Sequence, residues 1–485
     1  MRALIAILHK RGENVTNTAI TMLKTLKPKK TEDLGIASPT IIKMAKTLKA
    51  LQTSKIDSHI IIGHIFPKTL DTDKPQPMKL ENATLVFEGR TYPLTKNPSN
   101  VEAIAKELQQ NHEKEAETII KEIEGNFAFT IAEPSRLIAA RDPLGIQPLY
   151  YGENADLAAL ASERKTLWKI GIKEPHSFPP GQIALINRNG FKFKPVKTLT
   201  YSKPKQLTIH EAAEELQTLL QHSVKERVSE LKEVAVAFSG GLDSSIIAFL
   251  AKKSNTNVHL IHVSLENQPE TEHAKKVAEE LKMPIHIHLF RRENVEAVVP
   301  KVLEIIEEPN PVQTSIGIPF YWTAEKTAEM NLNVMLAGQG ADELFGGYSR
   351  YVDDYLLHGK EAARKKMFKD VTRLHETNLE RDTKICNFHD VELRLPFATY
   401  RIARFALDLP LELKIEPKKN TLRKLVLRKV AINLGLPQHV VEKPKKAIQY
   451  TTGINNSLSR IAKKKGLTVN EYLQKAFKEI RNDVT

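Results

Sequence analysis

One short segment constrains this chain more than any other: Ser239-Gly240-Gly241-Leu242-Asp243-Ser244-Ser245. It stands between an apolar run, Val234-Ala235-Val236-Ala237-Phe238, and a helical pattern over 244–252. Paired glycines after a strand let the backbone turn sharply and approach a ligand closely. A helix that begins just behind them offers unpaired N–H groups and the positive end of its dipole to an anion. The segment therefore reads as a phosphate cradle at the end of a sheet strand. It is not a Walker A loop, because no Lys-Ser/Thr pair follows the glycines. The same residues could also be a tight strand-to-helix turn with an Asp/Ser cap, which needs no ligand.

The pattern around the segment repeats strand then helix, with apolar runs at 258–263, 285–289 and 334–336 and a helix at 272–281. Such alternation predicts an α/β unit, a parallel sheet covered on both faces. Beyond about residue 350 the chain becomes helical and Lys-rich. Residues 1–195 read differently, with short strands at 4–8, 59–62, 84–87, 127–131 and 137–140 and helices at 41–51 and 100–110. This half is expected to be a layered α+β unit. A Lys- and Pro-containing stretch over 193–205 precedes an amphipathic helix over 209–228, so the boundary is expected near residue 200. The two domains are then 1–200 and 205–485.

Composition narrows the function classes. A chain of 485 residues suggests two to four domains. No apolar run approaches the roughly 18 residues that cross a bilayer. The six apolar residues after Met1-Arg2 are too few for a signal-peptide core, so a cytoplasmic protein is expected. A single cysteine, Cys386, excludes an intramolecular disulfide, a Cys-based zinc site and an iron–sulfur cluster. The net charge of +14 favours polyanions or phosphorylated substrates. With 6% aromatics and no RNP-like or zinc-knuckle pattern, a nucleic-acid partner is not expected.

The glycine loop resembles the pyrophosphate-binding loop of ATP pyrophosphatases. A second segment, Leu336-Ala337-Gly338-Gln339-Gly340-Ala341-Asp342-Glu343-Leu344-Phe345-Gly346-Gly347-Tyr348, is similar to the S-G-E-G-x-D-E-x-F-x-G-Y run of asparagine synthetases. Glu307-Glu308-Pro309, Ile318-Pro319-Phe320-Tyr321, Arg381-Asp382 and Glu392-Leu393-Arg394-Leu395-Pro396-Phe397 fit the same family. The likeness spans most of 205–450 and implies an adenine-nucleotide α-hydrolase-like fold that uses ATP and magnesium. Magnesium takes hard oxygen ligands, which suits Asp243 and Asp342. The resemblance implies ATP contacts from Phe238, Ser239, Gly240, Gly241, Leu242, Asp243, Ser244, Ser245, Val263, Ala337 and Gly338. It also implies a catalytic lysine from an R-x-K segment, for which Lys443-Pro444-Lys445-Lys446 is the counterpart. Lys445 takes the role in one register and Lys446 in the next. Gln339 departs from the family, standing where many relatives have Glu and so removing negative charge near the nucleophile-binding region.

The first half resembles the same family's glutaminase domain, an Ntn-hydrolase-like fold. The likeness rests on Arg141-Asp142-Pro143-Leu144-Gly145-Ile146-Gln147-Pro148-Leu149-Tyr150-Tyr151, with Gly125-Asn126-Phe127, Ala161-Ser162-Glu163 and Pro180-Gly181 in the family's order. Glutaminase chemistry needs an N-terminal cysteine thiolate with its own amine as base. Position 2 is Arg2, Phe66 stands where the carboxylate-clamping arginine follows G-H-x, and Glu88 replaces the Asn of the oxyanion segment. Three missing parts predict a domain that no longer hydrolyses glutamine.

The expected activity is that of an amide-forming ligase. ATP and an amino-acid carboxylate, aspartate first, would give an acyl-adenylate and pyrophosphate, and ammonia would then attack. Three alternatives are a ligase for another acid, as in β-lactam synthetases, a tRNA-modifying ATP pyrophosphatase, and a non-catalytic regulatory or scaffold protein, which the intact Asp243, Asp342 and Lys445 argue against. The resemblance allows a homodimer and a separate ammonia-supplying glutaminase. Of the lesser features, His286-Ile287-His288 places two imidazoles on one strand face and reads as a sheet-edge pair without a third ligand. Cys386 reads as a small buried apolar residue, and 468–480 as a docked helix with a capping-box start.

Overall fold

The computed structural model of the chain describes residues 2–29, 33–53, 56–92, 100–445 and 448–484. It divides into two compact units, one of Met1–Thr198, Asn387–Asp390 and Ala476–Thr485, the other of Leu199–Cys386 and Val391–Lys475.

In the first unit a seven-stranded and a six-stranded antiparallel sheet lie face to face. Strand Ala3–His9 explains its own composition. Leu4, Ala6 and Leu8 point into the core between the sheets with Ile60, Ile62, Val86 and Ala128, while Ile5 and Ile7 pack outward against Ala19 and Leu23 of helix Thr16–Thr25. A strand buried on both faces has no polar alternation. The outer face of the other sheet, with Leu85, Phe127 and Phe129, is covered by helices Asn100–Glu107 and His112–Glu122. The result is a helix, sheet, sheet, helix stack.

One expectation fails here. Residues 41–51 are not a helix; they hold strand Ile42–Ala45 and the short helix Leu48–Gln52. The Ser38 hydroxyl accepts from the Ile41 amide at 3.0 Å and closes a turn, and Ile42–Ala45 then pairs antiparallel with Asp33–Ala37. Ladder hydrogen bonds override the helical apolar spacing, and Thr47 caps what remains, its hydroxyl accepting from the Ala50 amide.

The second unit is built on a five-stranded sheet in the order Ile285–Phe290, Asn257–Leu265, Glu233–Ala237, Val334–Leu336, Glu392–Arg394, with every neighbouring pair parallel. Glu233–Ala237 is the first of these strands in the chain and lies at the centre. Succeeding strands go to one side and later ones to the other, which makes its carboxyl end a topological switch point, the place where open α/β sheets bind ligands. The glycine loop leaves from that end. The last strand was not foreseen, because its buried Glu392 and Arg394 pair with each other at 2.7 Å and break any apolar signature. Thr468 and Glu471 do form the reciprocal cap of helix Val469–Val484.

Candidate active site

At the switch point lies a cavity of about 780 Å³, within the range of small-molecule sites. Ser239, Gly241, Leu242, Asp243 and Ser244 line it on the loop side. Gly240 has φ +65°, and a Cβ there would meet Ala274 and His273 at 3.0 Å, so this position needs glycine. Its carbonyl oxygen accepts from His273 Nε2 at 2.8 Å. The turn is stitched by the Ser239 hydroxyl, which accepts from the Gly241 amide at 3.3 Å, and by the Ser244 hydroxyl, which donates to the Gly241 carbonyl at 3.2 Å. Gly240 and Ser245 do not line the cavity; the one shapes the turn and the other is buried in helix Leu242–Lys253. Phe238, Val263, Ala337 and Gly338 form an apolar edge on the same cavity.

Asp243 and Asp342 converge on one ammonium. Lys424 Nζ lies 2.8 and 2.7 Å from the two Asp243 oxygens and 2.6 Å from Asp342 Oδ1. Lys445 Nζ lies 2.8 Å from Asp342 Oδ2. Burial opposes ionisation of Asp342, yet Lys424 and Lys445 hold its carboxyl well below the usual carboxylate range. Burial likewise pulls Lys445 down, and Asp342 followed by Asp243 more than reverses this, raising its pKa. Asp342 and Lys445 therefore both stay charged at neutral pH. Gly347 makes the cluster possible, since a Cβ there would sit 1.9 Å from Asp342 Oδ1 and 2.6 Å from Lys424 Cε.

Sequence reasoning missed Lys424. It is buried, with backbone φ +60°, a strained conformation for a residue with a side chain. It also opens helix Leu425–Asn433, where a positive charge opposes the helix dipole. That adverse placement is the signal that could have singled it out. The loop that carries Lys445 is tied down through its backbone. Arg428 donates to the Val441 carbonyl and, at 3.0 Å, to that of Lys443, while Arg423 reaches the Lys445 carbonyl at 3.4 Å. Lys446 lies outside the described residues.

Two carboxylates converging on a single cation form a hard-oxygen donor pair suited to magnesium once phosphate oxygens complete the set. Among the described residues no group of three or more His, Cys, Asp or Glu side chains is arranged to hold a metal. His286 and His288 lie on the edge strand of the sheet, as expected, and His286 Nε2 meets His259 Nδ1 of the neighbouring strand at 3.1 Å. Cys386 is buried, and burial pushes its thiol pKa well up.

In the first unit, Arg2 Nη2 donates to the Thr69 hydroxyl at 2.9 Å, and Asp73 is paired with Arg90 at 2.8 Å. Glu88 is fully buried; its Oε2 accepts from the Ser162 hydroxyl at 2.7 Å, and its Oε1 has no hydrogen-bond partner among the described residues. Burial pushes the Glu88 pKa up to about 7 against the pull of Ser162 and Arg2. His64 is buried with neither ring nitrogen bonded among the described residues, and burial, aided by Arg2, pulls its pKa down to about 3. Phe66 is buried at the end of strand Ile60–Phe66.

Comparison with known proteins divides the chain in a similar way. The asparagine synthase family model matches residues 215–366 and 354–479, and a glutamine amidotransferase domain model matches 68–169. The molecule is therefore of the two-domain class that joins an N-terminal glutamine amidotransferase domain to a C-terminal synthetase domain with a parallel sheet. Within that class the chain belongs to the asparagine synthetase family, a family of carbon–nitrogen ligases. It is 33% identical over 472 residues to a Methanocaldococcus jannaschii protein assigned as a glutamine-hydrolysing asparagine synthetase, covering 84% of this chain and 85% of that one. It is 27% identical to the glutamine-hydrolysing asparagine synthetase of Asparagus officinalis, over 71% of this chain and 60% of the plant enzyme, so it spans well under two thirds of that relative. Among solved structures, glutamine phosphoribosylpyrophosphate amidotransferase from B. subtilis aligns at 14% identity and TM-score 0.35, over 59% of this chain and 65% of that one. At that level it carries no argument about this chain. No helix among the described residues is long and apolar enough to cross a membrane.

Proposed function

We propose that the second unit activates an amino-acid carboxylate with ATP, aspartate being the first candidate, and that the resulting acyl-adenylate is converted to an amide by ammonia. The observation that carries this reading is the convergence of Asp243, Lys424, Asp342 and Lys445 on the cavity that also holds the glycine loop. The loop amides and the start of helix Leu242–Lys253 would bind phosphate oxygens. In the first step a carboxylate oxygen attacks the α-phosphorus, and the bond to the bridging oxygen breaks with its electron pair leaving on pyrophosphate. Lys424 and Lys445 are aimed to offset the charge that develops there. In the second, the ammonia lone pair attacks the acyl carbon, the bond to AMP breaks, and a proton leaves the nitrogen. Asp243 and Asp342 would hold magnesium, which when bound supplies further neutralisation of phosphate charge.

For the first unit we infer loss of glutamine hydrolysis. Support comes from Phe66 and Glu88, one apolar where a clamp is needed and the other an acid where an oxyanion donor is needed. Gln339 favours a second reading, an acid other than aspartate. The test is pyrophosphate release from ATP with aspartate and other amino acids, with and without ammonium. Acid-dependent release, lost in Asp243→Asn and Asp342→Asn variants that keep the wild-type far-UV spectrum, is expected. No release with any acid, or wild-type turnover in either variant, would sink the assignment.

A further inference from the structure

The side-chain amide of Gln339 is gripped at one end by a buried carboxylate. Asp382, fully buried in helix Glu380–Phe388, accepts from Arg381 Nε at 2.7 Å and from Arg381 Nη2 at 3.0 Å. Arg381 is itself steadied by Gln313, whose Oε1 accepts from Nη1 at 2.6 Å, while Gln313 Nε2 donates to the Thr377 carbonyl at 2.8 Å. The remaining partner of Asp382 is Gln339 Nε2. A carboxylate bridged by a guanidinium can only accept, so the NH2 end of the amide must face it and the carbonyl end must face away. Gln339 lines the cavity, and its Oε1 bonds to none of the described residues.

We propose that Gln339 Oε1 accepts an N–H from a nitrogen-bearing ligand of this cavity, and that Asp382, backed by Arg381, is the positioning residue that fixes the amide for it. The proposal rests on the reading that the cavity activates an acid for attack by ammonia. Three ligand groups of that reading carry N–H, the attacking nitrogen, the ammonium of the amino acid and the adenine amino group of ATP; Gln339 is assigned to one of the first two, and an unchanged KM for ATP separates them from the third. Either is met by a neutral acceptor, and the negative charge stands one layer back, on Asp382. The arrangement also accounts for the residue type. A glutamate at 339 would press a second carboxylate against Asp382, whereas glutamine turns that contact into a hydrogen bond.

The test uses the full chain and two assays. ATP–pyrophosphate exchange needs the acid but no ammonia, and amide formation is followed against ammonium concentration. Gln339→Met keeps the length of the side chain and leaves Asp382 in the grip of Arg381. It is expected to raise one KM about tenfold, with the KM for ATP little changed, since one hydrogen bond to a charged or reacting group is lost. A change in acid-dependent exchange identifies the amino-acid ammonium as the donor; a change confined to the ammonium KM identifies the attacking nitrogen. Gln339→Glu is expected to be more damaging than Gln339→Met, because it presses a second carboxylate against Asp382. Thermal melts accompany each variant. KM values within twofold of wild type in Gln339→Met, or a folded Gln339→Glu variant no worse than Gln339→Met, would overturn the proposal. Absence of acid-dependent exchange in the wild type would overturn the adenylation reading and this assignment together.

Discussion

The two units bury carboxylates in opposite ways. In the parallel-sheet unit, Asp342 is enclosed by Lys424 and Lys445, which hold it ionised on the wall of a cavity. In the antiparallel unit, Glu88 has a serine hydroxyl for a partner, one oxygen with no hydrogen bond among the described residues, and a pKa near 7, and the buried His64 is held neutral. Desolvation acts on both acids, and the placement of cations decides the outcome. A carboxylate kept charged beside a cavity is available to a cation or a polyphosphate. One driven toward neutrality chiefly lowers the stability of its own fold at high pH.

The sharpest way to break this contrast is Lys424→Met. It removes the ammonium that joins Asp243 to Asp342 and leaves two half-buried acids facing each other, so pyrophosphate release should fall about a thousandfold. A folded variant within tenfold of wild type would mean that Lys424 is only a structural counter-ion. Lys445→Ala should lower the rate about a hundredfold with a smaller effect on ATP binding, because its charge is wanted mostly as pyrophosphate departs. If Lys446→Ala has that effect instead, the register is one residue off.

The antiparallel unit is probed by stability. With a folded pKa near 7 against an ordinary value of 4.5, Glu88 contributes fully below pH 4.5, and that contribution is lost as pH rises through 7. His64 runs the other way, its pKa lowered from 6.5 to about 3, so stability falls as pH drops from 6.5 toward 3. The two slopes largely cancel between pH 4.5 and 6.5. Glu88→Gln should therefore stabilise this unit by about 3 kcal/mol above pH 7 and by little below pH 4.5, read from urea transitions across that range. No gain at pH 8 would show that Glu88 is better solvated than its burial implies. The smallest expected effect is that of Arg2→Cys, which should release no glutamate from glutamine, because a thiol does not supply the clamp absent at Phe66 or the donor absent at Glu88. Glutamate formation by this single variant would show that those two losses had been misplaced.

Much of this was legible in the sequence because it is local. The run 239–245 contains its own turn, its own helix start and its own Asp, and strand Glu233–Ala237 announces itself by an apolar run. Short apolar runs broken by turns in one half, and runs alternating with helical patterns in the other, likewise separate a layered α+β half from an α/β half. Where two local signals competed, at 41–51, pairing with a strand elsewhere in the sheet decided, and the helical spacing lost.

What the sequence alone determined is thus the glycine loop between strand and helix, the two kinds of layer and the candidate acids. Only the tertiary structure decided which lysines meet those acids, that Gln339 is turned by Asp382, and that Glu88 is left half-satisfied. Lys424 is 181 residues from Asp243, and Asp382 is 43 from Gln339. No periodicity links such positions. Their meeting depends on the strand order that puts the carboxyl ends of Glu233–Ala237 and Val334–Leu336 side by side, and on the Arg423 and Arg428 contacts that carry the C-terminal loop to them.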